Sequence, residues 1–376
     1  MGIASLRRTE QRAIDASKFG LNVGDWTPLS SAGVVVNEDS ALSVPTFAAC
    51  MSRKQDALMA MPVDAYVSDA GRRVPVDGPA WLRQPNSEQT WRPWIGELGW
   101  SVELSANGYV AVFRDKAGRA SQLLVLDHRV VTPFRRNGRK GYEVNGAEYP
   151  GEIVHVVRNP RDGQIAGTSV VTQNAETFGL AIAVQNHAAT YFGSGGVPPF
   201  VMSMQGGEPN PTSVEMFGKW WKAARRRSGF HAPGFIWGGT PVPLGINAKD
   251  SQLVEVQQHI GVQIASLTGV PPQFVGLGAT GASLQYQNVV DAFVDFIRKA
   301  MVPTMELVAE ALSADSAMLM PKATRVRFRT EIFEKADTKS RYETYQIGIA
   351  AGFLTPDDVR AWEDLAPMPD VAVSPA

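Results

Sequence analysis

The stretch GVPPQFVGLGATGASLQYQ, Gly269 to Gln287, sets Gly276, Gly278 and Gly281 in the spacing G-x-G-x-x-G. In nucleotide-binding folds that spacing lets the backbone turn tightly and approach a pyrophosphate at a helix start. The chemistry needs a parallel strand directly before the loop and an acidic residue about twenty positions beyond it. Here a helical pattern, Gly269 and the Pro271-Pro272 pair come first, and Asp295 stands closer, inside another helical pattern. The other reading is a flexible loop between two helices, in which Gly276, Gly278, Ala279, Thr280, Gly281 and Ala282, around Leu277, are small residues that leave the backbone free. No residue from Gly269 to Gln287 carries a charge.

Other chemical patterns are incomplete. Gly218-Lys219 lacks the partner glycine of a phosphate-binding loop and falls within a helical pattern. His128, His155, His187, His231 and His259 do not pair with one another or with cysteine at metal-ligand spacing. Ser194 has Phe192 where a nucleophile elbow needs its first glycine. The sequence therefore predicts no catalytic residue, no metal and no cofactor.

Basic residues cluster in two places. KWWKAARRRSGFH gathers Lys219, Trp220, Trp221, Lys222, Arg225, Arg226 and Arg227. It bears two readings: a solvated helix face over buried tryptophans, or a surface that docks a partner or faces phosphates. Arg135, Arg136, Arg139 and Lys140 flank the Asn137-Gly138 pair and read as a hairpin tip exposed to water. Arg7, Arg8 and Arg12 lie in an N-terminal arm whose composition suits a flexible segment.

These groups must be positioned by a folded scaffold. A hydrophobic content of 44% supports packed cores, and a net charge of -1 gives the chain no strong overall field for gripping nucleic acid. Cys50 is the only cysteine, which predicts a reducing, intracellular origin. No apolar run reaches the roughly eighteen residues of a membrane span, so a soluble protein is expected.

The pattern predicts a helix from Val44 to before Pro62, with Phe47, Met51, Leu58 and Met61 in one stripe. A β-rich block follows to about Arg158, with turns at Asp69 to Gly71, Lys116 to Gly118, Asn137-Gly138 and Asn145-Gly146, and one helix near TWRPWIGELGWSVELS. A helix over Thr168 to Gly193 is capped by Thr168 or Ser169. A small mixed unit separates it from a helix over Asp250 to Thr268. Beyond the glycine loop comes a long helix, about Leu284 to Leu312, which Pro303 should kink. A strand in TRVRFRTEIF, a helix over Thr338 to Ala351, and a short helix opened by Thr355, Pro356 and Asp358 complete the chain.

Six phrases stand in a telling order: QPNSEQTW, SANGYVAVFRDKAGR, PGEIVHVVRNPRDGQIAGTSVV, YFGSGGVPPFVM, IASLTGVPPQFVGL and GIAAGFLTPDDVRAWEDLAPM. With them the chain from about Val44 resembles the portal proteins of long-tailed bacteriophages, or of a phage-derived gene transfer particle. The resemblance implies an α+β portal fold. After an arm at 1–43 come a β-rich wing at 44–167, a first stem helix at 168–193 and a mixed α/β clip at 194–249. A second stem helix at 250–268, a tunnel loop at 269–283, a long Pro-kinked helix at 284–313 and a wing or crown part at 314–376 follow. The crown, if any, is expected to be small.

The resemblance further implies a ring, usually of twelve subunits, at one capsid vertex. Double-stranded DNA passes through it without sequence specificity during packaging and ejection. Expected partners are the large terminase, the head-tail adaptor and the major capsid protein, with assembly in the host cytoplasm and residence in the virion. The glycine loop takes the tunnel-loop position and the Lys219 to Arg227 helix lies in the clip. A nucleotide-binding enzyme using Gly276 to Gly281 is the rival reading, and a sequence-selective DNA-binding protein a third.

Overall fold

The structure is a computed structural model, and it describes residues 30–69, 72–193, 200–204, 212, 215–216, 219, 239–243, 253–277, 286–315, 317–321, 323–330, 338–363 and 365–366. A short α1 (Glu38–Leu42) opens on a capping box in which Asn37 accepts from the Ser40 amide at 2.7 Å and Ser40 accepts from the Asn37 amide at 2.8 Å. In α2 (Pro45–Ala60) Pro45 occupies the first turn, where no amide is needed, and Phe47, Met51 and Leu58 are buried on one face. The helix ends before Pro62, as its sequence predicts.

β1 (Val63–Asp69) and β2 (Arg72–Val76) form the first hairpin. α3 (Trp91–Ser105) is buried on almost every side, and Ala106, at φ 63°, turns it directly into β3 (Asn107–Arg114). β4 (Ala120–Leu126) returns from the turn at Lys116 to Gly118. β5 (Val131–Arg136) and β6 (Arg139–Val144) meet at Asn137 and Gly138, with φ of 52° and 79°. β7 (Ala147–Glu148) follows the second Asn-Gly turn, where Asn145 and Gly146 also have positive φ. Asparagine and glycine are the residues that tolerate both positions of such a turn. β8 (Glu152–Val157) closes a three-stranded sheet in the order β4-β3-β8.

The helix expected over Thr168 to Gly193 is interrupted. α4 (Val170–Gln173), capped by Ser169, and α5 (Ala175–Gly193) are separated by Asn174, whose side chain donates to the Val170 carbonyl at 2.9 Å. The amide side chain thus competes with the backbone ladder, which is why asparagine breaks helices.

β9 (Phe200–Met204) and β10 (Gly239–Pro243) pair antiparallel across the inserted unit. α6 (Leu253–Thr268) precedes the glycine loop, and α7 (Tyr286–Phe296) follows it. α7 runs through a π-turn, Ile297–Met301, into α8 (Val302–Ser313). Pro303 has no amide to donate. The preceding turn widens, with the Val302 amide bonded back to the Ile297 carbonyl, and absorbs the missing register.

β11 (Thr324–Phe328) adds to β1, giving the order β11-β1-β2. α9 (Thr338–Ala350) ends before Gly352, and α10 (Pro356–Trp362) carries the expected capping box between Thr355 and Asp358.

Two apolar clusters hold these parts. One joins Trp94, Ile95 and Leu98 of α3 to Val110, Leu123 and Val156 of the sheet and to Met301, Met305 and Val308 around α8. The other joins Phe47 and Met51 of α2 to Phe178 and Ile182 of α5 and Ile260 and Ile264 of α6. Phe47 meets Phe178 edge-on at 4.9 Å, a geometry that adds about 1 kcal/mol to simple burial. The helices on either side of the insert are therefore locked together through α2.

Candidate functional site

The glycine loop hangs from a fixed base. At the end of α6, Gly269 adopts φ 74°, its amide bonds to Ser266 O at 3.1 Å, and the Val270 amide bonds to Ala265 O at 3.1 Å. This pair of bonds is a Schellman stop, which needs a left-handed residue at Gly269. The Pro271-Pro272 pair then sets a short 3-10 turn, Pro272–Val275, ended by Gly276 at φ 77°.

The Leu277 amide bonds to Pro272 O at 3.0 Å, and its side chain lies over Gly261 of α6, where an added Cβ would come within 3.0 Å of it. Phe274 packs against Phe293 and Phe296 at 6.3 and 6.1 Å, tying the entry of the loop to the helix that receives its exit. Gly276 and Leu277 are thus placed. Gly278, Ala279, Thr280 and Gly281 lie outside the described residues. A helix and a 3-10 turn, not a strand, lead into Gly276, so the setting of a dinucleotide fold is missing.

Of the basic run from Lys219 to Arg227, Lys219 is helical, exposed, and paired with Glu215 at 2.8 Å. Trp220, Trp221, Lys222, Arg225, Arg226 and Arg227 lie outside the described residues.

The outer faces of the helices flanking the insert are not polar throughout. Leu180 of α5 and Val254 and Val262 of α6 are exposed while Ile260 and Ile264 are buried. Among the described residues α6 therefore has exposed apolar side chains besides its buried face, and α5 has one exposed leucine.

A buried ionic cluster escaped the sequence reading. Lys54 of α2 and Arg158, just past β8, both bind the same oxygen of Glu103 in α3, and Thr304 of α8 donates to its other oxygen at 2.6 Å. Burial alone would push the Glu103 carboxyl up, but Lys54 and Arg158, with the hydrogen bonds, hold it below the usual carboxylate range. Burial lowers Lys54 against the pull of Glu103. A signal was present: Lys54 falls in register with Phe47, Met51 and Leu58, on the apolar stripe itself. Lys54 and Glu103 are closed to solvent, Arg158 reaches it in part, and the cluster is structural. Burial also pushes the neighbouring Cys50 thiol up, which makes it inert.

Among the described residues no group of three or more His, Cys, Asp or Glu is arranged to hold a metal ion, and no helix is long and apolar enough to cross a membrane.

The described residues form a mixed helix-and-sheet subunit with small sheets, in which two helices flank an insert and an uncharged segment runs between α6 and α7. The phage portal protein family model matches residues 45–364, and the chain belongs to that family. It is 24% identical to the probable portal protein of Streptomyces phage phiC31, over 93% of this chain and 83% of that one. It shares its fold with an HK97-family phage portal protein from Corynebacterium diphtheriae (TM-score 0.59, 18% identity, 81% of this chain and 99% of that one). A chain in the neck of an empty gene transfer agent particle, computed with C6 symmetry, is also similar (TM-score 0.58, 20% identity, 88% of this chain and 94% of that one). The protein is a portal subunit of a phage-type particle. Its copies assemble into the ring at the capsid vertex through which DNA passes in packaging and ejection.

Proposed function

We propose that Gly276, Leu277, Gly278, Ala279, Thr280 and Gly281 form an uncharged collar around the DNA path, and that 269–283 is the tunnel loop of the ring. The observation that carries this reading is the absence of charge from Gly269 to Gln287 on a base fixed by the Gly269 stop and Phe274. A translocation channel must touch DNA without holding it. Each cation on a phosphate releases counterions and adds affinity, and a ring multiplies the effect by its subunit number. Small neutral residues slide.

On this reading the ring has twelve copies and no catalytic activity of its own. Segments 168–193 and 250–268 are the stem, and neighbouring stems cover Leu180, Val254 and Val262. Segment 44–167 is the wing, which 314–376 completes, and 284–313 links the tunnel loop to it. Segment 194–249 is the clip, where Lys219, Trp220, Trp221, Lys222, Arg225, Arg226 and Arg227 meet the large terminase and later the head-tail adaptor. The major capsid protein surrounds the ring, and assembly takes place in the host cytoplasm. Head-to-tail closure fits the different outer faces of α5 and α6, since a cyclic ring joins unlike patches.

Mass photometry with negative-stain electron microscopy of the purified chain is expected to show closed rings of about a dozen subunits with a central hole. A species that stays monomeric even with scaffold and capsid proteins present would overturn the ring reading.

The loop has its own test. Thr280→Lys, which puts one cation per subunit into the collar, is expected to leave ring assembly intact and to lower the DNA packaged per particle severalfold. Unchanged packaging would remove the loop from the DNA path. Tight nucleotide binding by the wild-type chain, abolished by Gly278→Val, would instead favour a nucleotide-dependent enzyme.

A further inference from the structure

The β5–β6 ribbon ends in Arg-Arg-Asn-Gly-Arg-Lys, four cations in six residues with no acid among them. The register sets Arg135 opposite Lys140 and Arg136 opposite Arg139. Directly opposed side chains on an antiparallel pair sit about 5 Å apart at Cβ, and like charges there are destabilising. Arg136 has an acidic partner, Glu148 at 2.9 Å, but no ion pair is found for Arg135, Arg139 or Lys140 among the described residues. All four side chains are exposed.

The ribbon is held rigidly against its own repulsion. The Asn137-Gly138 turn has both residues at positive φ, and Phe134 fills the space over Gly141, where a Cβ would come within 2.5 Å of its ring. Tyr142 meets Tyr109 and His155 of the β4-β3-β8 sheet edge-on at 6.0 and 5.9 Å, fixing the base of the ribbon to the core. Successive strand residues point to opposite faces, so one cationic pair stands on each face of the ribbon.

That arrangement selects among anions. The major groove of duplex DNA, about 12 Å wide, admits a two-stranded ribbon and has a phosphate strand along each wall. A duplex also presents a charge every ~1.7 Å of its axis, enough to neutralise all four side chains within one small footprint. An acidic protein face would need clustered carboxylates on two sides of a narrow projection.

We propose that the β5–β6 ribbon is a sequence-independent contact for duplex DNA, entering the major groove with Arg135 and Lys140 toward one phosphate strand and Arg136 and Arg139 toward the other. This rests on the portal reading, which brings duplex DNA to the ring. It adds a gripping contact on the β-rich block, separate from the uncharged loop between α6 and α7.

The test is fluorescence anisotropy of the full-length chain with a labelled mixed-sequence duplex, followed as a function of salt. The variants are R135Q/K140Q, R136Q/R139Q and the fourfold combination, each keeping Asn137, Gly138, Phe134 and Tyr142. Each pair is expected to reduce the steepness of the log affinity against log salt plot by about 1.8, and the fourfold variant by about 3.6. For the fourfold variant that is about a 150-fold weaker response between 50 and 200 mM salt.

Unchanged slopes in variants that melt like the wild type would overturn the proposal. So would equal competition by single-stranded DNA or polyglutamate, which would mark the tip as a general anion or acidic-protein surface. Mass photometry on the same samples separates the two ideas: intact rings with unchanged slopes sink the ribbon contact alone, whereas loss of rings by the wild type bears on the portal reading.

Discussion

Glu103→Ala is expected to destabilise the chain by about 4 kcal/mol, close to a thousandfold in the folding equilibrium. Lys54 and Glu103 expose 2% and 5% of their side chains, so neither ion can recover hydration when its partner goes. Arg158, with 23% of its side chain exposed, retains a route to water, so most of the loss falls on Lys54. Thr304 also loses its acceptor, which loosens α8 one residue past Pro303. Urea unfolding at fixed protein concentration measures the effect, because ring contacts raise apparent stability by mass action. Removing both buried ions together, as Lys54→Met with Glu103→Leu, is expected to restore much of the loss. A double variant as unstable as Glu103→Ala would show that uncompensated charge is not the cause.

The same cluster sets an acid limit. The Glu103 pKa is lower in the folded chain than in the unfolded one, so its contribution is complete above the unfolded value of about 4.3 and fades as pH falls toward the lower folded value. Glu103→Gln should flatten that part of the stability profile.

Gly167→Ala is expected to cost about 3 kcal/mol or more, out of proportion to one methyl group. A Cβ at Gly167 would lie 2.0 Å from the Arg158 carbonyl oxygen and 2.4 Å from that of Ala106. Neither atom can yield, because the Arg158 amide is itself bonded to Ala106 O at 2.9 Å. Asn107 holds Gly167 from the other side, accepting from its amide at 2.7 Å and donating to its carbonyl at 3.1 Å. Two residues on, Ser169 caps α4 and donates to Leu104 O at 2.7 Å, so the clash would also displace the start of α4. Gly96→Ala is the comparison: its Cβ would meet the Met59 sulfur at 2.7 Å, the movable end of a flexible side chain. A loss near 1 kcal/mol is expected there. Equal losses at the two sites would mean that backbone rigidity is not what makes Gly167 essential.

Much of the scaffold was legible in the residues because the free energies involved are local. Asn137-Gly138 and Asn145-Gly146 announce their turns through the positive φ that only such residues accept easily. Pro45, Pro62 and the Thr355 to Asp358 box mark helix ends through groups within one turn of each other. In the glycine loop the residues speak only against a cofactor site, since the strand that a cofactor fold requires is replaced by Gly269 and two prolines, and its place as a tunnel loop is what the resemblance implies. The family came from the order of segments. Asn174 was missed as a break because the apolar period passes through it unchanged.

What the sequence determined by itself, then, was most of the boundaries of helices, strands and turns, and that no residue from Gly269 to Gln287 carries a charge. Tertiary structure alone decided that Lys54 faces inward and pairs with a carboxylate 49 positions away, that this carboxylate also meets Thr304 across 201 positions, and that Gly167 has no room for a methyl group. Propensity and turn chemistry act between neighbours in sequence, whereas desolvation and steric fit depend on which distant segments the fold brings into contact.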